Sequence, residues 1–220
     1  MKIALQNHPE RHTIGLQLKR NRLLADLDDD ALAELRELLF VRDGHRGECL
    51  LEQGTREPVH FFVLDGVLKR VVTSPAGREM ALRFACEGDF ETCYEAWRER
   101  SAVSYSVHCG ARARVAWLPM SHWCAFIARH PRAQHAFRES VVQLGAQIVE
   151  HAVGLLLLDA PGRMERFTGA HPDLVERLPQ KDLASHLNLS AETLCRLSRR
   201  GRGAGRATPR AAAMAFSAAA

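Results

Sequence analysis

The twenty residues from Gln180 to Arg199, QKDLASHLNLSAETLCRLSR, constrain the chain more than any other stretch, because position after position agrees with a helix-turn-helix. Leu183, Leu187, Leu189, Leu194 and Leu197 fall where such a unit buries its two helices against each other, and Ala184 is small where they cross closely. Asn188 stands at the turn, where left-handed backbone is needed; Asn is among the few residues other than Gly that tolerate it. Ser190 is a natural N-cap for the second helix. That helix then opens on Ala191, Glu192 and Thr193 and continues to Arg196, the polar face with which a recognition helix meets base edges in the major groove. The segment therefore implies sequence-specific binding of double-stranded DNA.

The charge distribution points the same way. The chain of 220 residues carries a formal net charge of +4. From Ala191 onward Arg196, Arg199, Arg200, Arg202, Arg206 and Arg210 face a single acid, Glu192, so positive charge collects at the DNA-binding end. No uninterrupted apolar run approaches the ~18 residues of a membrane helix, so no membrane partner is expected. The start, MKIALQNHPERHTIG, is too polar for a signal peptide. The six cysteines lie without C-x-x-C spacing, which reads as reduced thiols in a cytoplasmic protein.

Elsewhere the hydrophobic period divides the chain. Residues 1–22 read as a loosely held arm. In the sensor region, 23–130, Asp26 to Phe40 reads as a helix, with acids at its N-terminus and Leu32, Leu35, Leu38 and Leu39 on one stripe. From Val41 to Leu118 short alternating runs are separated by turn signals, among them Asp65-Gly66, which predicts a hairpin between Val59–Leu64 and Val67–Val72. Many short strands at this spacing predict a small antiparallel barrel or jelly roll. Residues 131–159 form a long helix. Phe137, Val141, Leu144, Ile148, His151, Leu155 and Leu158 advance by alternating fours and threes, a heptad seam suited to a two-fold dimer. Val142, Gly145, Val149, Ala152 and Leu156 form a second stripe, and one stripe can cover the barrel while the other meets a second copy. Pro161-Gly162 breaks the helix, residues 160–202 hold the helix-turn-helix, and 203–220 is a Gly/Ala/Arg-rich basic tail of disordered character. The fold class is thus α+β: an N-terminal antiparallel jelly roll or barrel, a long dimerisation helix and a C-terminal helix-turn-helix without a clear wing.

This order of parts resembles the Crp/Fnr family of bacterial transcription regulators over about residues 23–200. The resemblance rests on Gly47-Glu48, Gly54, the run Phe62-Val63-Leu64-Asp65-Gly66, Gly77, Gly88-Asp89-Phe90 and the helix-turn-helix. It implies a cyclic-nucleotide-binding-like sensor that controls a dimeric DNA reader in contact with RNA polymerase. It places base reading on Glu192 and Arg196. A carboxylate can accept from cytosine N4, a guanidinium can donate twice to guanine, and residues four apart share a helix face. Gln180, Lys181, Ser190, Thr193, Arg199 and Arg200 are expected to contact or orient the phosphate backbone. Two departures stand out. The family's apolar β-hairpin wing has no counterpart after Arg200, and Ala191 stands where many members carry Arg or Pro.

The resemblance also suggests an effector pocket at Gly88, Asp89, Phe90, Arg100 and Ser101, the pattern that in nucleotide-binding members holds ribose and phosphate. Glu91, Glu95 and Glu99 between these residues repel a phosphate, so another small ligand, or none, is expected ahead of a cyclic nucleotide. Haem, with His108, His122, Cys109 or Cys124 near it, is a weaker expectation. No catalytic motif or metal-ligand spacing is present in the sequence, and the runner-up to a regulator is a ligand-binding sensor of the same ancestry with impaired DNA binding.

Overall fold

The structure is a computed structural model and describes residues 2–204; residues 205–220, which make up most of the expected basic tail, lie outside the described residues, and 201–204 continue the last helix rather than open a wing. Among the described residues nine strands form two antiparallel sheets. Their ranges are β1 Ile3–Ala4, β2 Phe40–Gly44, β3 Cys49–Leu51, β4 Val59–Asp65, β5 Leu68–Thr73, β6 Glu79–Ala85, β7 Phe90–Thr92, β8 Ser106–Cys109 and β9 Ala113–Pro119. One sheet runs β1-β2-β9-β4-β7, the other β3-β8-β5-β6, which is the jelly-roll-like barrel that the alternating runs predict.

The Asp65-Gly66 hairpin is not formed. β4 pairs with β7 and β9, whereas β5 lies in the second sheet beside β6 and β8, so the chain changes sheets at this turn. Gly66 has φ of 85°, and a Cβ there would lie 1.9 Å from the carbonyl oxygen of Arg112. The turn chemistry visible in the sequence therefore serves a close crossing under the Arg112–Ala113 backbone rather than a hairpin. Ser74–Gly77 does join β5 to β6, with Gly77 at φ 78°.

The expected loose arm, residues 1–22, is held in place over its described part. β1 pairs with β2, a 3-10 turn follows at Leu5–Asn7, and α1 spans Arg11–Lys19. Leu5, Ile14 and Leu18 are buried, and Leu23 and Leu24 follow them into the core. The polar spacing hides this because only one face of a short helix is buried. The next helix, α2, runs Asp29–Leu38, and Asp28 caps it by accepting from the Ala31 amide at 2.8 Å.

The remaining helices are α3 Tyr94–Glu99, α4 Met120–Arg129, α5 Pro131–Leu157, α6 Ala160–Ala170, α7 Pro172–Arg177, α8 Gln180–His186 and α9 Ala191–Ala204. Inside the barrel an aromatic cluster joins His60, Phe62, Phe90, Trp123 and Phe137. His60 lies parallel to Trp123 at 4.5 Å, and burial pushes its imidazole down to about 3, so it is neutral. Beside the cluster Arg70 and Arg83 both reach the buried Glu91. Burial opposes the ionisation of Glu91, but the two guanidinium groups prevail and hold it below the usual carboxylate range.

The long helix α5 reverses one expectation. Ala133, Phe137, Ser140 and Leu144 are buried, Val141 and Ile148 pack on the core, and His151 lies against α8. The stripe assigned above to a dimer seam thus faces its own chain, including Leu155 and Leu158, which are half-buried. The neighbouring stripe is bare: Val142 is 72%, Val149 63% and Leu156 83% exposed. Two apolar faces also make α5 long and apolar enough to cross a membrane by length and composition, although no uninterrupted apolar run suggested it.

Candidate nucleic-acid interface

Helices α8 and α9 form the helix-turn-helix. Leu183, Ala184, Leu187 and Leu194 are buried between them and the barrel, with Leu189 packed alongside. Asn188 has φ of 51°, the left-handed conformation the turn requires. The Ser190 hydroxyl accepts from the Thr193 amide at 3.1 Å and caps α9. Beyond the cap, Glu192, Arg196 and Arg199 are exposed, and Thr193 is half-buried. Glu192 and Arg196 are not joined by an ion pair among the described residues; Arg196 instead leans on the Thr193 hydroxyl. Both side chains are thereby left to the solvent face of α9. Gln180 and Lys181 are exposed at the start of α8, and nothing is described of the Arg200 side chain.

Sequence reasoning did not find what holds this unit in place. The Asp182 carboxylate accepts from the Lys69 ammonium on β5 at 2.6 Å, with both side chains largely covered. Arg78, in the β5–β6 turn, donates to the Asn188 side-chain oxygen at 2.7 Å. The Ser185 hydroxyl accepts from the Ala81 amide, and His186 donates through Nδ1 to the Ala81 carbonyl at 2.9 Å. Arg163 of α6 donates to the carbonyls of Leu187 and Asn188. Phe84 of β6 and Phe167 of α6 close an apolar layer under α8 with Leu174 and Leu178. The partners in the Lys69–Asp182 bond are separated by 113 positions, so no local pattern could announce it.

The effector residues do not gather into one cradle. Asp89 lines a cavity under the second sheet, whereas Arg100 and Ser101 line another beside Trp97 and Arg56. Gly88 turns the chain at φ 83°, Phe90 is buried in the aromatic cluster, and Arg100 sits in left-handed backbone at the end of α3. The Asp89 carboxylate is used locally and accepts from the Cys86 amide. With Glu91 bound to two arginines and the barrel filled by His60, Phe62, Trp123 and Phe137, these five residues do not fit a shared ribose–phosphate cradle, which corrects the sequence expectation.

Two antiparallel sheets, a long helix leaving the barrel, and a helix-turn-helix beyond it recur in solved regulators. The fold is that of the Crp/Fnr regulators. The chain is similar to the c-di-GMP-responsive global regulator CLP of Xanthomonas campestris, with a TM-score of 0.67 at 15% identity, covering 84% of this chain and 96% of that one. It is similar to FixK2 of Bradyrhizobium japonicum, with a TM-score of 0.62 at 16% identity over 78% and 88% of the two chains. For the catabolite activator protein of Thermus thermophilus the TM-score is 0.51 at 19% identity, over 86% and 91%. No family model and no curated protein sequence matches the chain. On the Crp/Fnr fold, α8 and α9 occupy the C-terminal helical region and α5 joins it to the barrel.

Proposed function

We propose that the protein is a homodimeric, cytoplasmic, DNA-binding transcription regulator of the Crp/Fnr type, not an enzyme, in which the barrel controls two helix-turn-helix units. The observation that carries this reading is the pairing of a left-handed Asn188 and a Ser190-capped α9 with an exposed, mutually unpaired Glu192 and Arg196. Such side chains, four apart on one face, suit cytosine and guanine edges, while Gln180, Lys181, Ser190, Thr193, Arg199 and Arg200 supply phosphate contacts.

Dimerisation is assigned to the exposed stripe of α5. Val142, Ala146, Val149, Val153 and Leu156 follow the four-three spacing of a coiled-coil seam, and Gly145 and Ala146 permit close approach. A two-fold axis along α5 would set the two α9 helices on successive turns of a pseudo-palindromic site, ~34 Å apart. RNA polymerase is the expected downstream partner.

Selection of sites from a random pool of double-stranded DNA with the purified full chain tests the reading. Enrichment of a two-fold motif is the expected result; failure to enrich any motif would overturn it. The second reading, a sensor with impaired DNA binding, is favoured by the ties of Asp182 and Asn188 to the barrel, which engage the reading unit with its own sensor. A salt titration separates the two: a regulator keeps a specificity ratio of at least ~10³ over random DNA, and an impaired one does not.

A further inference from the structure

A cavity of about 430 Å³ lies where sensor, long helix and helix-turn-helix meet. Its size falls within the ~300–1,000 Å³ of small-molecule sites. Phe84 of β6, His151 of α5, Phe167 of α6 and His186 of α8 share its wall, so all three parts contribute to the site. It is distinct from the cavity of Arg100 and Ser101.

The lining is cationic at one end. The Arg22 guanidinium stands 5.4 Å over the Phe90 ring and makes no ion pair among the described residues. Arg83 donates to the Phe90 carbonyl at 3.0 Å, which brings the two guanidinium groups to the same residue. Glu91 is shared between Arg83 and Arg70, and Asp89 stands 3.6 Å from Arg83, so the local carboxylates are already engaged. Arg166, also in the lining, is paired with Glu150. The Nε2 atom of His151 is buried with no hydrogen-bond partner. A buried polar atom without a partner is uncommon, and this one is closed off beneath the His186 ring rather than open to the cavity. Between these polar points Phe84, Phe167, Leu174 and Leu187 present apolar surface.

We propose that this junction cavity binds a small organic anion, with its carboxylate or phosphate toward Arg22 and Arg83 and its apolar body against Phe84 and Phe167. Because α8 supplies part of the wall, an occupant favours the arrangement in which α8 lies on β6, by as much as it binds that arrangement better than an undocked one. The proposal does not rest on DNA binding.

Calorimetric titration of the full chain with benzoate and with phenyl phosphate, against benzyl alcohol and benzamidine as neutral and cationic counterparts, tests it. At least one anion is expected to bind at least ~10-fold more tightly than either counterpart, and to slow amide exchange in residues 180–187. Which anion binds identifies a carboxylate or a phosphate site. Arg22 and Ala170 are both exposed, so R22A and A170F leave the core intact. R22A should weaken binding by about tenfold by removing the unpaired cation, and A170F should obstruct the cavity. Binding of neither anion at millimolar concentration, equal binding of all four probes, or affinity unaltered in both variants would overturn the proposal.

Discussion

His151 of α5 and His186 of α8 stack face to face, with ring centroids 3.9 Å apart and planes 7° from parallel. Burial lowers both imidazoles from their ordinary value, His186 to about 3 with His151 as its next neighbouring cause, so the stack is one of neutral rings. The groups around it are Arg166, Glu150, His171 and Arg83. The stack ties the long helix to α8 of the helix-turn-helix, and its charge state bears on whether that tie holds.

Acidification is therefore expected to loosen α8. A histidine whose folded value lies below its unfolded ~6.5 contributes stability that is complete above that value and is lost as pH falls toward the folded one. For His186 the loss reaches about 2 kcal/mol by pH 5. Amide exchange of residues 180–187, corrected for its intrinsic pH dependence, should accelerate between pH 6.5 and 5, and His186→Phe should flatten the response. His60 adds a similar acid sensitivity to the barrel.

Lys69→Ala should destabilise the chain by ~1–3 kcal/mol, because Asp182 keeps a largely covered charge without its partner. Chemical denaturation of K69A, D182A and the double variant gives the coupling directly. A coupling energy indistinguishable from zero would show that the ion pair does not hold α8.

Arg196→Ala is expected to cost ~1–3 kcal/mol of specific DNA affinity and to relax one base position. Arg199→Ala should instead weaken all sequences alike and reduce the salt slope by about one ion. Competition binding with single-base operator variants distinguishes these outcomes; unchanged discrimination in R196A would remove that residue from base reading.

The two stripes of α5 should respond differently. Val149→Glu with Leu156→Glu places charge on exposed positions and is expected to yield a folded monomer by light scattering. Phe137→Ala empties a fully buried site and should cost ~3–5 kcal/mol of stability. A monomeric, folded F137A together with a dimeric V149E/L156E would restore the original seam.

The helix-turn-helix was legible because its information is local: Leu183, Asn188, Ser190 and Leu194 all fall within twelve consecutive residues. The heptad spacing of α5 was legible too, but spacing does not say which of two parallel stripes meets the barrel. That is decided by Phe137 entering an aromatic cluster with Trp123 of the preceding helix and with His60 on β4, a residue far off in sequence. Asp65-Gly66 misled for a related reason, since a left-handed Gly serves a hairpin and a sheet-changing turn equally well. The docking of α8 left no sequence signal, because Lys69, Arg78 and Ala81 are ordinary strand and turn residues until the chain brings them under Asp182, Asn188 and His186.

The pairing of β1 with β2 has a bearing on how the molecule avoids sticking to itself. β1 is the outermost strand of its sheet, only two residues long, and it occupies the free rim of β2 at Val41 and Phe40. A bare strand rim is a template for other chains. The first residues thus act as a hem, and deleting residues 2–18 would leave an open row of amides and carbonyls along β2 beside the vacated sites of Leu5, Ile14 and Leu18, exposing the barrel as a nucleus for aggregation.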